Sequence, residues 1–391
     1  MTKRLFSHRS GVNRGPNRLT VALEQERQKK RDIIDLTLSN PTLARLPFDA
    51  QALLDALSNR DLLVYRPDPL GLRSAREAVA SHISESGLST SADRIVLTAS
   101  TSDAYAYLIK LFCDPGDELL VPKPSYPLFE HLARLEAVRL KPYPLRYDGL
   151  WHIAIDEVEA ALTRRTKAIV VVSPNNPTGS FLKRDELDAL SKLGLPLISD
   201  EVFSSYPLIN DRTRVRSALE SDQTLVFALF GLSKLAALPQ LKLAWICIGG
   251  PETLAEEARE RLELIADTFL SVGTAIQLAV PQILKIYQPV SDAIRRRTKR
   301  NLDALSDLDW PVSLFHLEGG WYASLKLPNI ESDEQWALDF LNKDQVCVYP
   351  GYFFDYERSS VIVISLLVAE PIFDEGLRRL AARVGATVKK G

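Results

Sequence analysis

The chain has 391 residues, of which 46% are hydrophobic and 25% are charged, and its formal net charge is −2. This composition is typical of a globular protein, and the length exceeds what one simple core usually holds, so we expect two domains. The small net charge predicts no nucleic-acid partner, and the apolar runs are too short to predict a membrane partner.

Residues 1–23 contain basic but no acidic side chains, a balance that a transit peptide also has. Gly11, Gly15 and Pro16 interrupt any amphipathic helix in this segment. No apolar signal-peptide core follows the N-terminus. We therefore expect an ordered N-terminal arm over residues 1–45.

Short apolar runs alternate with amphipathic segments in the region that follows the arm. The predicted strands are 94–98, 118–122, 168–173, 196–199, 224–230 and 243–249, and the helices between them include 102–112 and 183–193. Continuous apolar strands separated by helices indicate a mostly parallel central sheet with helices on both faces. We predict an α/β large domain over residues 46–285.

The pattern changes after about residue 285. Residues 294–308 are typical of a charged helix, whereas 318–327 and 359–367 alternate as in an antiparallel sheet. An amphipathic helix ends the chain. We predict a smaller α+β domain over residues 286–391, which the N-terminal arm joins.

The three cysteines, Cys113, Cys247 and Cys347, are far apart and match neither a disulfide framework nor the spacing of zinc ligands. Each has aliphatic or aromatic neighbours, so we expect buried free thiols and no metal. Disulfides persist mainly in oxidising compartments, and the cysteine pattern therefore favours the cytoplasm.

In an open α/β sheet, ligands bind outside the carboxyl ends of the strands, so the residues after each strand are candidate site residues. The first large-domain strand is followed by ASTSDA, in which Ser100 or Ser102 can cap the next helix. The first N–H groups of a helix lack partners and suit a phosphate. Taken alone, these serines are more simply explained as helix caps.

Three later strands end in residues that can do chemistry. The segment SPNNPTG (173–179) holds asparagine amides at the sheet edge on a backbone that Pro174 and Pro177 restrict. Asp200 follows the next strand, and a carboxylate there requires a cationic partner or several donors. Lys234 closes the segment GLSK, where it is either a snorkelling surface residue or a desolvated nucleophile.

Together these residues match the requirements of pyridoxal 5′-phosphate. Its aldehyde binds a lysine amine, and its ring nitrogen stays protonated opposite a carboxylate. Its phenolic oxygen accepts a hydrogen bond, and its phosphate requires an anion site. The sequence thus predicts a pyridoxal-phosphate site at the carboxyl edge of the sheet.

With these motifs the chain resembles the fold-type I pyridoxal-phosphate aminotransferases, the aspartate aminotransferase superfamily, over roughly residues 35–380. The segments NNPTG, SDEVF, LSK and LKLAW occur in the family's order, and DPGDELLVPKPSYP (114–127) matches closely. The segment YRPDPLGLRSA (65–75) matches more loosely.

The resemblance implies a role for each matching residue. Lys234 would bind the cofactor covalently and move the substrate proton, and Asp200 would pair with the ring nitrogen. Asn176 would bond the phenolic oxygen and reach a substrate carboxylate, and Tyr126 would stack on the ring. The other implied cofactor-binding residues are Ser100, Thr101, Ser102, Ser233 and Lys242, with Tyr65 reaching the neighbouring subunit of a homodimer and Asn40 lining the substrate pocket.

Three departures from the family concern the cofactor. Phe203 stands where a tyrosine usually donates to the phenolic oxygen, which should raise the pKa of the nitrogen that joins lysine and cofactor. Gly231 replaces a serine that contacts the phosphate, and Lys242 replaces an arginine. A lysine neutralises phosphate only as a point charge, so we expect weaker cofactor binding than is usual.

A fourth departure concerns the substrate. Val363 stands where the family carries the arginine that binds the α-carboxylate in two hydrogen bonds, and a valine cannot do so. Three explanations stay open: Arg358 enters from the preceding loop, the substrate lacks an α-carboxylate, or Arg14 or Arg18 of the arm replaces the missing arginine.

We therefore predict a ping-pong aminotransferase that uses an amino donor and an oxo-acid acceptor. A carbon–sulfur β-lyase on the same fold uses the same lysine and is the first alternative. A catalytically decayed cofactor-binding protein is the second, which the lost arginine favours and the retained Lys234, Asp200 and Asn176 oppose.

Overall fold

The structure is a computed structural model that describes residues 5–11, 15–357 and 360–389. Its strands are β1 (Ile34–Asp35), β2 (Ile95–Thr98), β3 (Glu118–Lys123), β4 (Arg139–Tyr147), β5 (Trp151–Ile153), β6 (Thr166–Val172), β7 (Leu197–Asp200), β8 (Val226–Gly231), β9 (Ala244–Gly249), β10 (Ser313–Leu314), β11 (Tyr322–Lys326), β12 (Val346–Cys347), β13 (Tyr349–Pro350) and β14 (Val361–Ser365). Its helices are α1 (Arg18–Gln28), α2 (Ala50–Leu57), α3 (Arg73–Glu85), α4 (Thr101–Phe112), α5 (Leu128–Leu135), α6 (Ile155–Ala161), α7 (Arg184–Lys192), α8 (Leu232–Leu235), α9 (Glu252–Phe269), α10 (Thr274–Ile286), α11 (Gln288–Ser306), α12 (Asp333–Asp344) and α13 (Glu370–Val388).

An eight-stranded sheet forms the centre of the large part, in the order β2-β9-β8-β7-β6-β3-β4-β5. The strands from β8 through β7, β6 and β3 to β4 are parallel, whereas β9 runs antiparallel to both of its neighbours. Strands such as β7 and β8 are apolar on both faces because helices cover both sides. The predicted α/β class is confirmed.

Strands β4 and β5 were not predicted, because the sequence of β4 lacks the continuous apolar run of the central strands. It carries Pro142 and Pro144 and alternates polar with apolar residues. The strand lies near the sheet edge, where β5 pairs with it antiparallel and where prolines are tolerated.

The smaller part has a four-stranded antiparallel sheet, β10-β11-β14-β13, packed with α12 and α13. The N-terminal segment packs on this part: β1 pairs with β12, and Leu19, Ala22 and Leu36 share a core with Trp336 and Phe340. The predicted smaller α+β unit is therefore present, while the residue boundaries of the three regions stay predictions. Within the described ranges, no helix is both long and apolar enough to cross a bilayer.

Candidate active site

A cavity of about 440 Å³ opens between the carboxyl ends of the large sheet and the smaller part. Its walls include Lys234, Asp200, Asn176, Tyr126, Thr101 and Ser102. These predicted site residues come from separate strand ends along the sequence, and the parallel sheet gathers them at one edge.

Asp200 is the last residue of β7, held in register between Val172 of β6 and Leu229 of β8. Its Oδ1 accepts a hydrogen bond from the Val202 N–H at 3.2 Å, and its Oδ2 accepts one from the Tyr105 hydroxyl at 3.1 Å. Burial raises the pKa of Asp200 to about 6, and these two donors and Lys234 oppose the rise. The donors and the lysine therefore favour the ionised carboxylate against the effect of burial.

Lys234 lies on the short helix α8, directly after β8. The Tyr206 hydroxyl donates to its carbonyl oxygen at 2.6 Å, which anchors the backbone. The Nζ atom lies 5.3 Å from the ring centre of Phe203 and 5.1 Å from that of Trp321. Burial lowers the pKa of Lys234 to about 8, against the pull of Asp200. More of the amine is thus neutral and nucleophilic near neutral pH than in an exposed lysine.

The two asparagines of SPNNPTG have different tasks. Asn175 is buried and ties the turn to the neighbouring loop: its Nδ2 donates to the Pro124 carbonyl at 3.1 Å, and its Oδ1 accepts from the Ser125 hydroxyl at 3.2 Å. Asn176 lies in the cavity wall, and its buried Oδ1 has no partner within the described residues. Its amide is therefore free to turn its NH₂ group toward a bound oxygen.

Gly179 completes this turn with φ +72°, a backbone conformation that favours glycine. A Cβ atom there would lie 2.0 Å from Leu317 of the smaller part. The turn thus fits under the smaller part only without a side chain.

Helix α4 begins at the cavity with Thr101 and Ser102. Ser100 is its N-cap, and the Ser100 hydroxyl accepts from the Asp103 N–H at 3.1 Å. Ser100 therefore serves as the helix cap that the simpler reading proposed, while the two residues after it present the positive helix end to the cavity.

Aromatic side chains form much of the remaining cavity lining, called here the aromatic wall. They are Tyr126, Phe129, Tyr322, Tyr349, Phe353 and Phe354. Lys234 is the only lysine or arginine among the described residues that line the cavity. This wall can enclose an apolar group, and it offers hydroxyl groups rather than charges to a substrate.

Several predicted residues lie outside the cavity lining. Lys242 is exposed on left-handed backbone with φ 52°, and Ser233 on α8 is partly buried. Asn40 is exposed and its Oδ1 accepts from the backbone N–H and the hydroxyl of Thr42, whereas its neighbour Ser39 lines the cavity.

The positions considered for binding the substrate carboxylate differ in their surroundings. Arg18 is largely exposed and pairs with Glu334 of α12 at 2.8 Å. Arg14 and Arg358 lie outside the described residues. Val363 is fully buried on β14 in an apolar cluster and does not line the cavity. The position that the resemblance aligns with the family's arginine therefore contributes nothing to the cavity surface.

Tyr65 is 78% exposed and lies in a separate groove with Leu270 and Ser271. It does not reach the cavity of its own chain.

Sequence reasoning missed Tyr105 and most of the aromatic wall. Tyr105 occupies a buried helix position that apolar periodicity explains equally well, so only its contact with Asp200 reveals a polar task. The wall residues come from segments near 126, 322 and 350 that no single motif unites.

The donor set fits pyridoxal phosphate. The enclosed amine of Lys234, the carboxylate of Asp200, the uncommitted amide of Asn176 and a helix N-terminus all border one cavity. Gly231 is packed so that a Cβ would lie 3.1 Å from the Ala244 Cβ, which leaves little room for the serine that the family has there.

Comparison with known proteins also indicates an aminotransferase. Residues 31–366 match the family model described as aminotransferase class I and II. The glutamate-pyruvate aminotransferase AlaA of Haemophilus influenzae is 27% identical over 384 residues, which cover 94% of each chain. The tyrosine aminotransferase of Mus musculus is 25% identical over 86% of this chain and 78% of its own. The alanine aminotransferase of Pyrococcus furiosus has a TM-score of 0.84 at 23% identity, covering 94% of this chain and 96% of its own, and so shares the fold.

Proposed function

This chain belongs to the aminotransferase class I and II family, and from that premise we propose which of its residues hold the cofactor and carry out the reaction. The predicted activity, a pyridoxal-phosphate-dependent aminotransferase, is confirmed by the family and its relatives. One observation supports the residue assignment most strongly: the lowered-pKa amine of Lys234 and the carboxylate of Asp200 border the same cavity.

Pyridoxal phosphate, when bound, supplies an aldehyde for a covalent bond to nitrogen and a ring that withdraws electrons from the substrate carbon. Lys234 would form that bond in the resting enzyme. When a substrate is bound, the free Lys234 Nζ would take the proton from the substrate Cα and later give it back. Asp200 would keep the ring nitrogen protonated.

The remaining cofactor contacts follow from the cavity walls. The N–H groups and hydroxyls of Thr101 and Ser102 would hold the phosphate, and Asn176 would donate to the phenolic oxygen. Tyr126 would cover the ring. Ser233 and Lys242, which the resemblance assigns to the phosphate, do not line the cavity, and Ser100 would act through the helix cap.

The aromatic wall favours an amino donor with an apolar or aromatic side chain, and the acceptor would be a 2-oxo acid. Tyrosine aminotransferases among the relatives are consistent with such a donor. For the substrate carboxylate, the ion pair of Arg18 with Glu334 makes Arg14 the better of the two proposed arm arginines. Asn176, and Ser39 in place of its neighbour Asn40, would add neutral contacts.

The alternatives receive less support. The relatives named above are aminotransferases, which favours transamination over β-elimination. The cavity retains Lys234, Asp200 and Asn176, which a decayed cofactor-binding protein would not require.

We also propose a homodimer in which Tyr65 reaches the phosphate site of the neighbouring subunit. Leu63 and Tyr65 are 82% and 78% exposed, and Leu264 and Phe269 are exposed as well, which is unusual for side chains this apolar. A mixture of Lys234→Ala chains with Tyr65→Ala chains tests this arrangement. Hybrid dimers would regain one site with both residues intact and recover activity, whereas two chains that act alone would stay inactive.

A cytoplasmic location also stays a proposal. It is supported by the three cysteines, which are free. Burial raises the pKa of Cys113 and Cys347 to about 12, so these thiols resist oxidation.

An absorbance titration tests the residue assignment and the substrate class together. The purified protein loaded with pyridoxal phosphate is mixed with aromatic, aliphatic and acidic amino acids and with simple amines. Aromatic amino acids should convert the cofactor to its aminated form, and a 2-oxo acid should reverse the change. Steady release of pyruvate and thiol from a cystathionine-like substrate without any oxo acid would instead identify a lyase.

A further inference from the structure

Tyr105 lies on the first turns of α4 and lines the same cavity as Lys234 and Asp200. Its side chain is buried, with 2% exposure, and its hydroxyl donates to Asp200 Oδ2 at 3.1 Å. None of the family motifs in the sequence includes this residue. We propose that Tyr105 is a positioning residue that fixes the orientation and the charge of Asp200, an inference that rests on the proposed function.

The geometry gives Tyr105 a defined task. The Val202 N–H holds one oxygen of Asp200 and the Tyr105 hydroxyl holds the other, so the plane of the carboxyl group is set by two donors. Each carboxylate oxygen can accept a second hydrogen bond, which leaves room for a ring nitrogen. The ring of Tyr105 is itself held edge-on by Phe129, with 5.2 Å between ring centres.

The charges around Asp200 show why this donor matters. The charge of nearby Lys234 favours the ionised form of Asp200, whereas Glu201, the next residue in the chain, is buried and has the same sign when ionised. Burial of the carboxyl group favours its neutral form, and a hydroxyl donor favours the ionised form. Burial and the nearby carboxylate raise the pKa of Tyr105, so the hydroxyl keeps its proton and stays a donor.

The position of Tyr105 also connects two parts of the site. Thr101 and Ser102 lie four and three residues earlier on the same helix, and so on the same face. The helix that presents its N-terminus to the phosphate therefore also carries the donor to Asp200. One helix would thus position both the phosphate site and the Asp200 carboxylate that pairs with the ring nitrogen.

Removal of one hydroxyl tests the proposal. In Tyr105→Phe the ring and its packing remain, and Asp200 loses a donor, so the ring nitrogen of the bound cofactor should hold its proton less well. The loss of positive charge on the ring should raise the midpoint of the pH titration of cofactor absorbance by roughly half a unit or more. The kcat should fall about ten-fold or more, with KM changed much less.

Tyr107→Phe is the matched control. Tyr107 is buried on the same helix, and its hydroxyl bonds Ser271 at 3.2 Å, away from Asp200. It should leave the titration midpoint and kcat unchanged. Thermal unfolding of both variants checks that each is folded.

A double-mutant cycle separates positioning of Asp200 from a general structural role. In an Asp200→Ala background, Tyr105→Phe should cause no further change in the absorbance titration or in the affinity for pyridoxal phosphate. Equal shifts in both tyrosine variants, no shift in Tyr105→Phe, or full additivity with Asp200→Ala would overturn the proposal. Failure of the unaltered protein to bind pyridoxal phosphate would overturn the proposed function itself, so the two failures are distinguishable.

Discussion

The two walls of the cavity differ in how they are built. The wall toward the sheet carries Lys234, Asp200 and Asn176 on the ends of three neighbouring parallel strands. The rest of the lining is largely aromatic, and Val363, which the resemblance aligns with the family's arginine, is buried in an apolar cluster on β14. On the proposed assignment, the residues for the cofactor chemistry are retained, whereas the residue aligned with the family's carboxylate-binding arginine is apolar and does not line the cavity.

This difference follows from what each wall must do. Cofactor residues must stay in a fixed geometry, and strand ends in a parallel sheet provide it. Substrate residues come from loops and from the smaller part, where a change in one side chain does not disturb the sheet. The following four changes test the contrast, beginning with the largest expected effect.

Lys234→Ala tests the sheet-side wall. Without the amine, no covalent cofactor bond and no proton transfer are available, so kcat/KM should fall by roughly a thousand-fold or more. Steady-state kinetics measures the loss, with Lys285→Ala, at an exposed position, as the control. An activity within ten-fold of the unaltered enzyme would mean that another group performs the chemistry.

Val363→Arg tests whether the family's arginine could simply be restored. The position has 0% exposure among apolar side chains, so a buried unpaired charge should lower the free energy of unfolding by about 3 kcal/mol or more. Urea unfolding measures this, and Val363→Ala should lose less. An arginine variant as stable as the unaltered protein, with a lower KM for an amino acid, would contradict the placement of Val363.

Asp200→Asn tests whether burial destabilises the ionised Asp200 carboxylate in the cofactor-free protein. Because burial raises the folded pKa of Asp200 to about 6 from 3.8, its contribution to stability is present at low pH and is lost as the pH rises through 6. The substitution should therefore stabilise the cofactor-free protein by about 2–3 kcal/mol at pH 8 and by less at pH 5.

Urea unfolding at both pH values checks this result, with the exposed Asp307→Asn as the control. A gain that does not depend on pH would show that the Asp200 carboxylate is not destabilised by burial. Activity should fall in the same variant, since an amide keeps the ring nitrogen protonated poorly.

Arg18→Ala tests whether this arm arginine binds the substrate carboxylate, and it should have the smallest effect. Arg18 is 66% exposed at the side chain and pairs with Glu334, so KM should change by less than about two-fold. Arg14→Ala and Arg358→Ala, measured in parallel, would raise KM if either residue holds the carboxylate. A large rise for Arg18→Ala alone would place the arm over the cavity.

Most of the sheet could be predicted from the sequence because its central strands are apolar on both faces and end in polar residues. The strand ending at Asp200 and the helix starting at Thr101 were predicted to within about one residue. Strand β4 was missed because its prolines and charges, suited to a position near the edge, hide the apolar pattern.

The site residues also divide into those that could be predicted from the sequence and those that could not. Lys234, Asp200 and Asn176 could be predicted because each lies at the end of a strand or soon after it, and strand ends meet at one edge. Tyr105 could not be predicted, because the sequence of an amphipathic helix does not show which distant carboxylate a buried tyrosine contacts. Ser39 lines the cavity in place of the predicted Asn40, a shift of one residue that depends on the local turn at Thr42.

The central claim is that the Lys234 amine carries pyridoxal phosphate in a cavity that it shares with Asp200. Borohydride reduction of the loaded protein, followed by proteolysis and mass spectrometry, tests it directly. The account predicts one reduced phosphopyridoxyl group, on the peptide that contains Lys234, and none in Lys234→Ala. A label on another lysine of the unaltered protein, or no label at all, would contradict it.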